Sequence, residues 1–294
     1  MTSETDRTAR LGVDIGGTFT DVALEHNGRR WTSKILTTAT APEEGVLAAI
    51  AAVLNEARLA PAAVGLIIHG TTLATNALIE RKGARAALIT TAGFRDTVEI
   101  RHENRFEQYD VNIDLPPPLV PRRWRFPVAE RVDAKGKVLV PLDEEGVHRA
   151  ADALDAQRIE AVAIGFLHSF TNPDHERRVG AILAERLPDV AVTLSSEVSP
   201  EMREYERFST ACANAYIQPL MGRYLARLQS NLAAAGFTCH LFLMLSGGGI
   251  TTVETAIRFP VRLVESGPAG GAIFSSHIAR QCGLDRVLSF DMGG

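Results

Sequence analysis

The stretch that most constrains this chain runs from Leu11 to Asp21, LGVDIGGTFTD. An apolar run that reads as a buried strand (Leu11, Val13, Ile15) carries one acid, Asp14, and breaks at Gly16 and Gly17 before the hydroxyls of Thr18 and Thr20. Adjacent glycines permit a turn with positive φ and let backbone N–H groups approach an anion closely. The hydroxyls add donors. Asp14 is placed to hold a hydrated Mg²⁺ against phosphates, because that ion binds through few carboxylates and keeps most of its waters. The chemistry is that of a phosphate-gripping hairpin, whereas a lone Gly-Gly pair is more often an ordinary turn. The sequence DMGG, Asp291 to Gly294, ends a second apolar strand (Val287, Leu288, Phe290) in the same way, which favours the hairpin.

Further antiparallel strands are expected over Asp21 to Leu24 and Arg30 to Leu36, joined by His26-Asn27-Gly28-Arg29. Pro42 opens an alanine-rich amphipathic helix reaching Arg58, with Thr40 as its candidate N-cap. A strand from Val64 to Ile68 then delivers His69, Gly70, Thr71 and Thr72 to its carboxyl end, where open α/β sheets bind ligands. Thr75 and Asn76 would lie on the first turns of the following helix, which ends at Lys82-Gly83. Two readings stand side by side here: phosphate or carbonyl contact at the helix N-terminus, or a capping threonine beside a satisfied structural histidine.

Arg85 to Thr90 is a strand, and Glu99 to Pro127 is the least regular region, holding His102, Glu103, Asn104, Arg105, Tyr109 and Asp110 before a proline-rich segment. Mixed aromatic and charged residues suit a loop lying on substrate or a partner chain. A hairpin around Ala134-Lys135-Gly136 precedes an α/β run: a helix opening near Asp143, strand Ala161 to Phe166, helix Pro173 to Leu187 capped by Asn172, and strand Val190 to Leu194. Tyr205 to Ala235 is the longest helix, expected to bend near Pro219, with Cys212 in its core face. Strand Cys239 to Leu245 ends in Ser246-Gly247-Gly248-Gly249, and strand Val261 to Val264 ends in ESGPAGG, Glu265 to Gly271, which opens a helix through Ile278. Two glycine-rich strand-to-helix turns suit a nucleotide, with Gly247, Gly248, Gly267 and Gly270 as contacts. Neither a Walker pattern nor GxGxxG occurs.

At 294 residues the chain suits about two domains. Hydrophobic residues at 46% and charged ones at 22% are ordinary for a soluble globular protein, and a net charge of -4 marks neither a nucleic-acid nor an anionic-membrane binder. Three scattered cysteines without CxxC spacing suggest neither zinc nor disulfides, so a reducing cytoplasm fits. The polar N-terminus lacks the apolar core of a secretory signal.

In order along the chain, DIGGTFTD (Asp14 to Asp21), GTTLATNALIERKG (Gly70 to Gly83), TTAGFRD (Thr90 to Asp96), LSGGGITT (Leu245 to Thr252), PVRLVESGPAGGA (Pro260 to Ala272) and DMGG resemble the hydantoinase A and 5-oxoprolinase family. N-methylhydantoinase A-like proteins and acetone carboxylase β subunits belong to that group. The resemblance implies an α/β, actin-like or Hsp70-like ATPase fold of ribonuclease H type: a mixed-sheet lobe with an inserted α/β segment, and a second lobe largely missing here. It divides the chain into 1–200, with the first phosphate loop, and 201–294, truncated at the second.

The implied activity is ATP-dependent hydrolysis of a cyclic amide, activated by phosphorylation, with ATP and Mg²⁺ as cofactors. The implied partner is a hydantoinase B-type subunit, with no nucleic acid and no membrane. On this basis Asp14 and Asp291 hold the metal, and Gly16, Gly17, Thr18, Thr20, Gly293 and Gly294 cradle phosphate. His69, Thr71, Thr72 and Asn76 stand at the reacting end, and His102, Glu103 and Arg105 contact substrate or partner. EIRHENRFEQY, Glu99 to Tyr109, departs from the family's EIGxQxRP pattern, so the family's substrates are not carried over. The alternatives are an ATP-dependent ketone carboxylase subunit and a non-catalytic assembly or regulatory lobe.

Overall fold

The computed structural model describes residues 8–38, 40–102, 107 and 109–290. Strand β1 (Ala9–Ile15) buries Leu11, Val13 and Ile15 on one face and turns Gly12 and Asp14 to the other. Strand β2 (Phe19–His26) returns antiparallel, placing Asp21 opposite Asp14. Asn27 and Gly28 adopt φ of 51° and 72°, the positive pair that a tight hairpin turn demands. Strand β3 (Arg29–Leu36) completes the meander.

Helix α1 (Pro42–Ala57) buries Val46, Ala49, Ile50, Val53 and Leu54, one face at helical spacing. Its N-cap is Ala41 rather than Thr40 and makes no side-chain bond. Pro42 at the first helical position needs no donor and pre-sets the entry angle, and Glu43 and Glu44 complement the helix dipole. Strand β4 (Val64–Thr71) runs parallel to β1 and continues past Ile68, because its register with β1 holds through the Ile15 and Thr71 pair. Helix α2 (Leu73–Ile79) follows and stops short of Lys82-Gly83.

The chain divides into two compact units, one of Met1–Glu80 with Met221–Gly294 and one of Arg81–Leu220. The second unit carries β5 (Ala86–Thr91), α3 (Thr97–Ile100), β6 (Arg125–Val128), the hairpin β7 (Arg131–Val132) and β8 (Val138–Val140), α4 (Glu144–Ala156), β9 (Ala161–Gly165), α5 (Asp174–Arg186), β10 (Ala191–Leu194) and α6 (Ser195–Val198). Its four-stranded sheet, β10-β9-β5-β6, is parallel throughout. Every residue of β5 and β9 is buried, as expected when both faces of a parallel sheet are covered. Pro127 is tolerated because β6 is an edge strand. Asp143 caps α4 by accepting the Gly146 N–H at 2.9 Å. Asn172 accepts the Asp174 N–H, but Pro173 holds the N-cap position of α5, one residue later than expected.

Helix α7 (Glu204–Ala234) continues through Pro219 and belongs to the second unit up to Leu220 and to the first from Met221. The first unit then resumes with β11 (His240–Met244), β12 (Ile250–Thr252), α8 (Val253–Arg258) and α9 (Ser266–Gln281). Its mixed sheet has the order β12-β11-β4-β1-β2-β3, with β1, β4 and β11 mutually parallel.

Three expectations fail here. Ser246 to Gly249 is the turn of the β11–β12 hairpin, closed by Leu245 N–H to Gly249 O at 2.8 Å, and not a strand-to-helix turn. Val261 to Val264 is not a strand; Pro260–Leu263 form a 3-10 turn, which proline at its start favours over extended pairing. Val287 to Phe290 pair with no strand among the described residues, and Leu288 and Phe290 are 90% and 81% exposed. Apolar alternation without a neighbouring strand to satisfy its backbone does not make a strand.

Candidate functional site

The first unit has a cleft of about 880 Å³ against the face of its sheet that carries Asp14. Gly12 and Asp14 of β1, Asp21 and Ala23 of β2, Thr32 and Lys34 of β3 and Gly70 of β4 line it from the sheet. Ser266, Gly267, Gly270, Gly271 and Phe274 line it from the start of α9. Strand alternation produces this division, since residues of even number in β1 and β4 point opposite to the buried odd ones. Gly70 lies close beside Asp14: a Cβ there would lie 2.9 Å from Asp14 Oδ1 and would force that carboxylate to shift. At Gly267 and Gly271 an added Cβ would meet nothing, so the opening of α9 is bare backbone beside open space. Burial and the negative charge of Asp21 push the Asp14 pKa above its ordinary value, and Lys34 draws it partly back.

The β1–β2 turn is held from behind. Neither Gly16 nor Gly17 has positive φ, contrary to expectation. Gly16 instead donates its N–H to Phe19 O at 2.8 Å and sits so close that a Cβ would lie 3.2 Å from that oxygen. Gly17 faces the Asn76 amide, 3.5 Å from where its Cβ would stand. Thr72 donates both its N–H (2.9 Å) and its hydroxyl (3.1 Å) to Ile15 O, and Asn76 Nδ2 donates to the Thr72 hydroxyl at 3.3 Å. Thr72 and Asn76 thus brace the turn. Thr18 is exposed, whereas Thr20 is buried with its hydroxyl 3.0 Å from that of Thr37, which itself donates to Gly16 O. Thr20 is therefore engaged in holding the turn and does not face an anion.

His69 and Thr71 point away from the cleft into the core. Thr71 Oγ1 accepts the Leu73 N–H at 3.2 Å, and the Thr71 carbonyl accepts from the buried Ser266 hydroxyl at 3.4 Å. The His69 ring lies between Val13 O (3.4 Å from Nδ1) and the Tyr224 hydroxyl (2.7 Å from Nε2). The network assigns the proton to Nδ1, which donates to Val13, leaving Nε2 to accept from Tyr224. Burial lowers the His69 pKa to about 4.

This histidine is neutral in the folded state and takes up a proton at about pH 6.5 once unfolded. Its stabilising contribution is therefore complete above that value and lost as pH falls toward 4. The difference corresponds to about 3 kcal/mol. Denaturant unfolding between pH 7 and pH 4.5 should show a pH slope that His69→Leu flattens; equal slopes in the two proteins would refute the assignment.

Gly247 and Gly248 lie in the β11–β12 turn. Gly248 has φ of 81°, and a Cβ there would come 3.0 Å from Ile273 Cδ1 on α9. Gly248 thus packs the turn against α9, whereas a Cβ at Gly247 would meet nothing. His102 lies in the second unit, where its Nε2 is 3.1 Å from Glu206 Oε1 and its ring stacks edge-on against Tyr205 at 4.9 Å. Glu103, Arg105, Asp291, Gly293 and Gly294 lie outside the described residues. Cys212 is buried, its thiol pKa pushed up to about 12, so it is inert core as its spacing predicts.

Asp14, Gly267 and Gly270 are the sequence-predicted residues that the structure brings together. Asp21, Lys34, Gly70, Ser266 and Phe274 were not singled out. A signal existed for two of them: folding the two hairpins in register sets Asp14, Asp21 and Lys34 in one row. Among the described residues no group of three or more histidines, cysteines or acids could cage a metal ion. No helix among them is long and apolar enough to cross a membrane.

The model of the hydantoinase/oxoprolinase N-terminal region matches residues 10–187, and that of hydantoinase/oxoprolinase matches 207–294. The chain is 38% identical to caprolactamase subunit alpha of Pseudomonas jessenii over 295 residues, covering 97% of this chain and 42% of that protein. It is 32% identical to 5-oxoprolinase of Saccharomyces cerevisiae, covering 97% of this chain and 25% of that protein. The crystal structure of the ATP-dependent caprolactamase from P. jessenii superposes with a TM-score of 0.85 at 38% identity, over 97% of this chain and 42% of that one. Nucleotide-free acetone carboxylase superposes with a TM-score of 0.84 at 27% identity, over 94% of this chain and 41% of that one. The chain thus spans less than half the length of these relatives. With both halves matched in order and the fold shared, the chain belongs to the hydantoinase/oxoprolinase family.

Proposed function

We propose that this chain is the nucleotide-gripping subunit, or N-terminal portion, of an ATP-dependent cyclic-amide hydrolase. The observation that carries the reading is Asp14 facing a cleft whose opposite wall is the glycine-rich start of a long helix. Helix N–H groups and bare glycine backbone favour an anion, and a carboxylate beside them suits that anion's metal. The order β3-β2-β1-β4-β11, three antiparallel strands followed by two parallel ones, supports an actin-like lobe of ribonuclease H type with the second unit inserted in it. A functional division near residue 200 is consistent with the two matched regions.

An amide carbonyl is a poor electrophile and its nitrogen a poor leaving group. ATP with Mg²⁺, when bound, would supply the γ-phosphoryl group to the carbonyl oxygen with release of ADP, so that addition of water at the carbon could break the ring C–N bond, with the nitrogen taking up a proton and phosphate leaving. Asp14, with Asp291, would hold the metal. The Gly17 amide, the Thr18 hydroxyl, and the backbone at Gly267, Gly270, Gly293 and Gly294 would hold phosphate, while the Gly16 N–H is spent on Phe19 O and serves the turn. Thr72 and Asn76 keep the turn in place for that task. His102, Glu103 and Arg105 would contact substrate or a B-type partner subunit. Thr20, His69, Thr71, Gly247 and Gly248 serve the scaffold in this reading.

Phosphate release from ATP should rise on adding a five- to seven-membered lactam or hydantoin to the protein assembled with its partner. ATP use that is indifferent to every cyclic amide would sink the reading. The likeness to acetone carboxylase favours one alternative, a ketone carboxylase subunit, for which ATP consumption would instead depend on bicarbonate and a ketone.

A further inference from the structure

The cleft wall carries two carboxylates, Asp14 and Asp21, and a polyphosphate entering it would be repelled by both. Lys34 is the cationic side chain among the described cleft-lining residues. It stands directly across from Asp21 in the β2–β3 register, as Asp21 stands across from Asp14 in the β1–β2 register. All three therefore lie in one row across the strands, with Lys34 about 10 Å from Asp14 at two strand spacings. Asp21 holds the Lys34 ammonium with both oxygens, at 2.9 and 2.8 Å, and the Phe19 ring lies 4.7 Å from the same nitrogen. Two of its three donors point at Asp21. The lysine side chain is still 56% exposed, so the third donor is open to a ligand.

A surface pair of this kind contributes little to stability. Its worth lies in placement: Asp21 and Phe19 together fix a long, flexible side chain that would otherwise sweep solvent. We propose that Lys34 is the cation that meets the phosphates in this cleft, and that Asp21 is a positioning residue that holds it there. Asp21 is thereby neutralised, and Asp14 remains the one uncompensated carboxylate for a metal. The inference rests on the nucleotide reading above and names the charge that reading lacks, since backbone amides supply only partial charges.

Calorimetric titration of this chain with Mg-ATP, inorganic triphosphate and adenosine tests it. Lys34→Met keeps the stem that packs on Phe19 and removes the charge. It should weaken ATP and triphosphate by roughly 10- to 100-fold, the loss of one charge-assisted contact, and leave adenosine unchanged. Lys34→Arg should stay within about threefold of wild type, since it keeps the charge. Asp21→Asn should weaken triphosphate in the wild-type background but not in Lys34→Met, where removing the unpaired carboxylate relieves repulsion instead, a reversal that general damage to the fold would not give. Triphosphate binding to Lys34→Met within twofold of wild type would overturn this inference alone and leave the nucleotide reading standing. Failure of wild type to bind either phosphate compound would overturn both.

Discussion

Asp14→Asn is expected to lower ATP-dependent turnover by about 100-fold or more, the scale on which loss of a metal anchor at a charged transition state is felt. The same substitution should leave the melting temperature at pH 7 unchanged or raise it. The reason is the direction of the Asp14 shift. Burial and Asp21 hold its pKa above the usual carboxylate value, so the folded state binds that proton more tightly than the unfolded chain does. Ionised Asp14 therefore costs stability at neutral pH, and the cost disappears as pH falls through the raised value. A neutral asparagine removes it. Groups retained at a cost in stability are expected at functional sites. Turnover measured beside thermal melts decides the matter: a variant that melts early and is inactive would place Asp14 in the scaffold.

The second large effect is expected in the Arg81–Leu220 unit, at Arg207. Its side chain is fully buried and donates to Ser195 Oγ (3.2 Å), Glu201 O (2.7 Å) and Phe166 O (3.0 Å). The guanidinium also lies 5.3 Å and 5.2 Å from the ring centres of Phe170 and Phe208. The Ser195 hydroxyl donates a hydrogen bond to Glu176 Oε1, 2.6 Å away, and Glu176 further accepts the N–H groups of Phe166 (3.0 Å) and Ser196 (2.9 Å). Arginine, serine and glutamate thus tie the ends of β9 and β10 to the start of α7. Arg207→Met leaves a buried carboxylate network without its cation, the Glu201 carbonyl without its donor and the Phe166 carbonyl with the Ser169 N–H at 3.4 Å. It should cost about 3 to 5 kcal/mol in denaturant unfolding. Glu176→Leu should cost a similar amount, and the double variant less than their sum, because each removes what the other compensates. A loss below about 1 kcal/mol for Arg207→Met would show that the network carries little of the unit's stability.

Local elements are legible in the sequence where a single physical rule governs them. The β1–β2–β3 meander follows from apolar alternation and the Asn27-Gly28 turn, and α4 follows from Asp143 three residues before the N–H it accepts. The rule failed where two locally equivalent options compete. Val261 to Val264 has strand composition and forms a 3-10 turn. Gly16 and Gly17 permit positive φ and do not use it; close approach to Phe19 O is what a side chain at Gly16 would meet, while one at Gly17 would make ordinary contact with Asn76.

His69 shows the limit most clearly. In sequence it opens a polar cluster with Thr71, Thr72 and Asn76 and reads equally as ligand or scaffold. Strand parity and Tyr224, a residue 155 positions away that satisfies the ring from the core side, decide where its side chain lies.

What the amino-acid order alone determined is the family, the two glycine-rich segments and Asp14 as the acid beside them, since each depends on neighbours in the chain. Which residues share the cleft was decided by the tertiary structure. Asp14, Asp21, Lys34, Gly70 and the opening of α9 meet only because strand register and a parallel β1–β4 pairing align them. Register is a long-range property: side chains alternate with period two, so a slip of one residue would bury Asp14 and expose His69. Tyr224 of α7 and Ser266 of α9, far along the chain, meet β4 at His69 and Thr71 in the register observed.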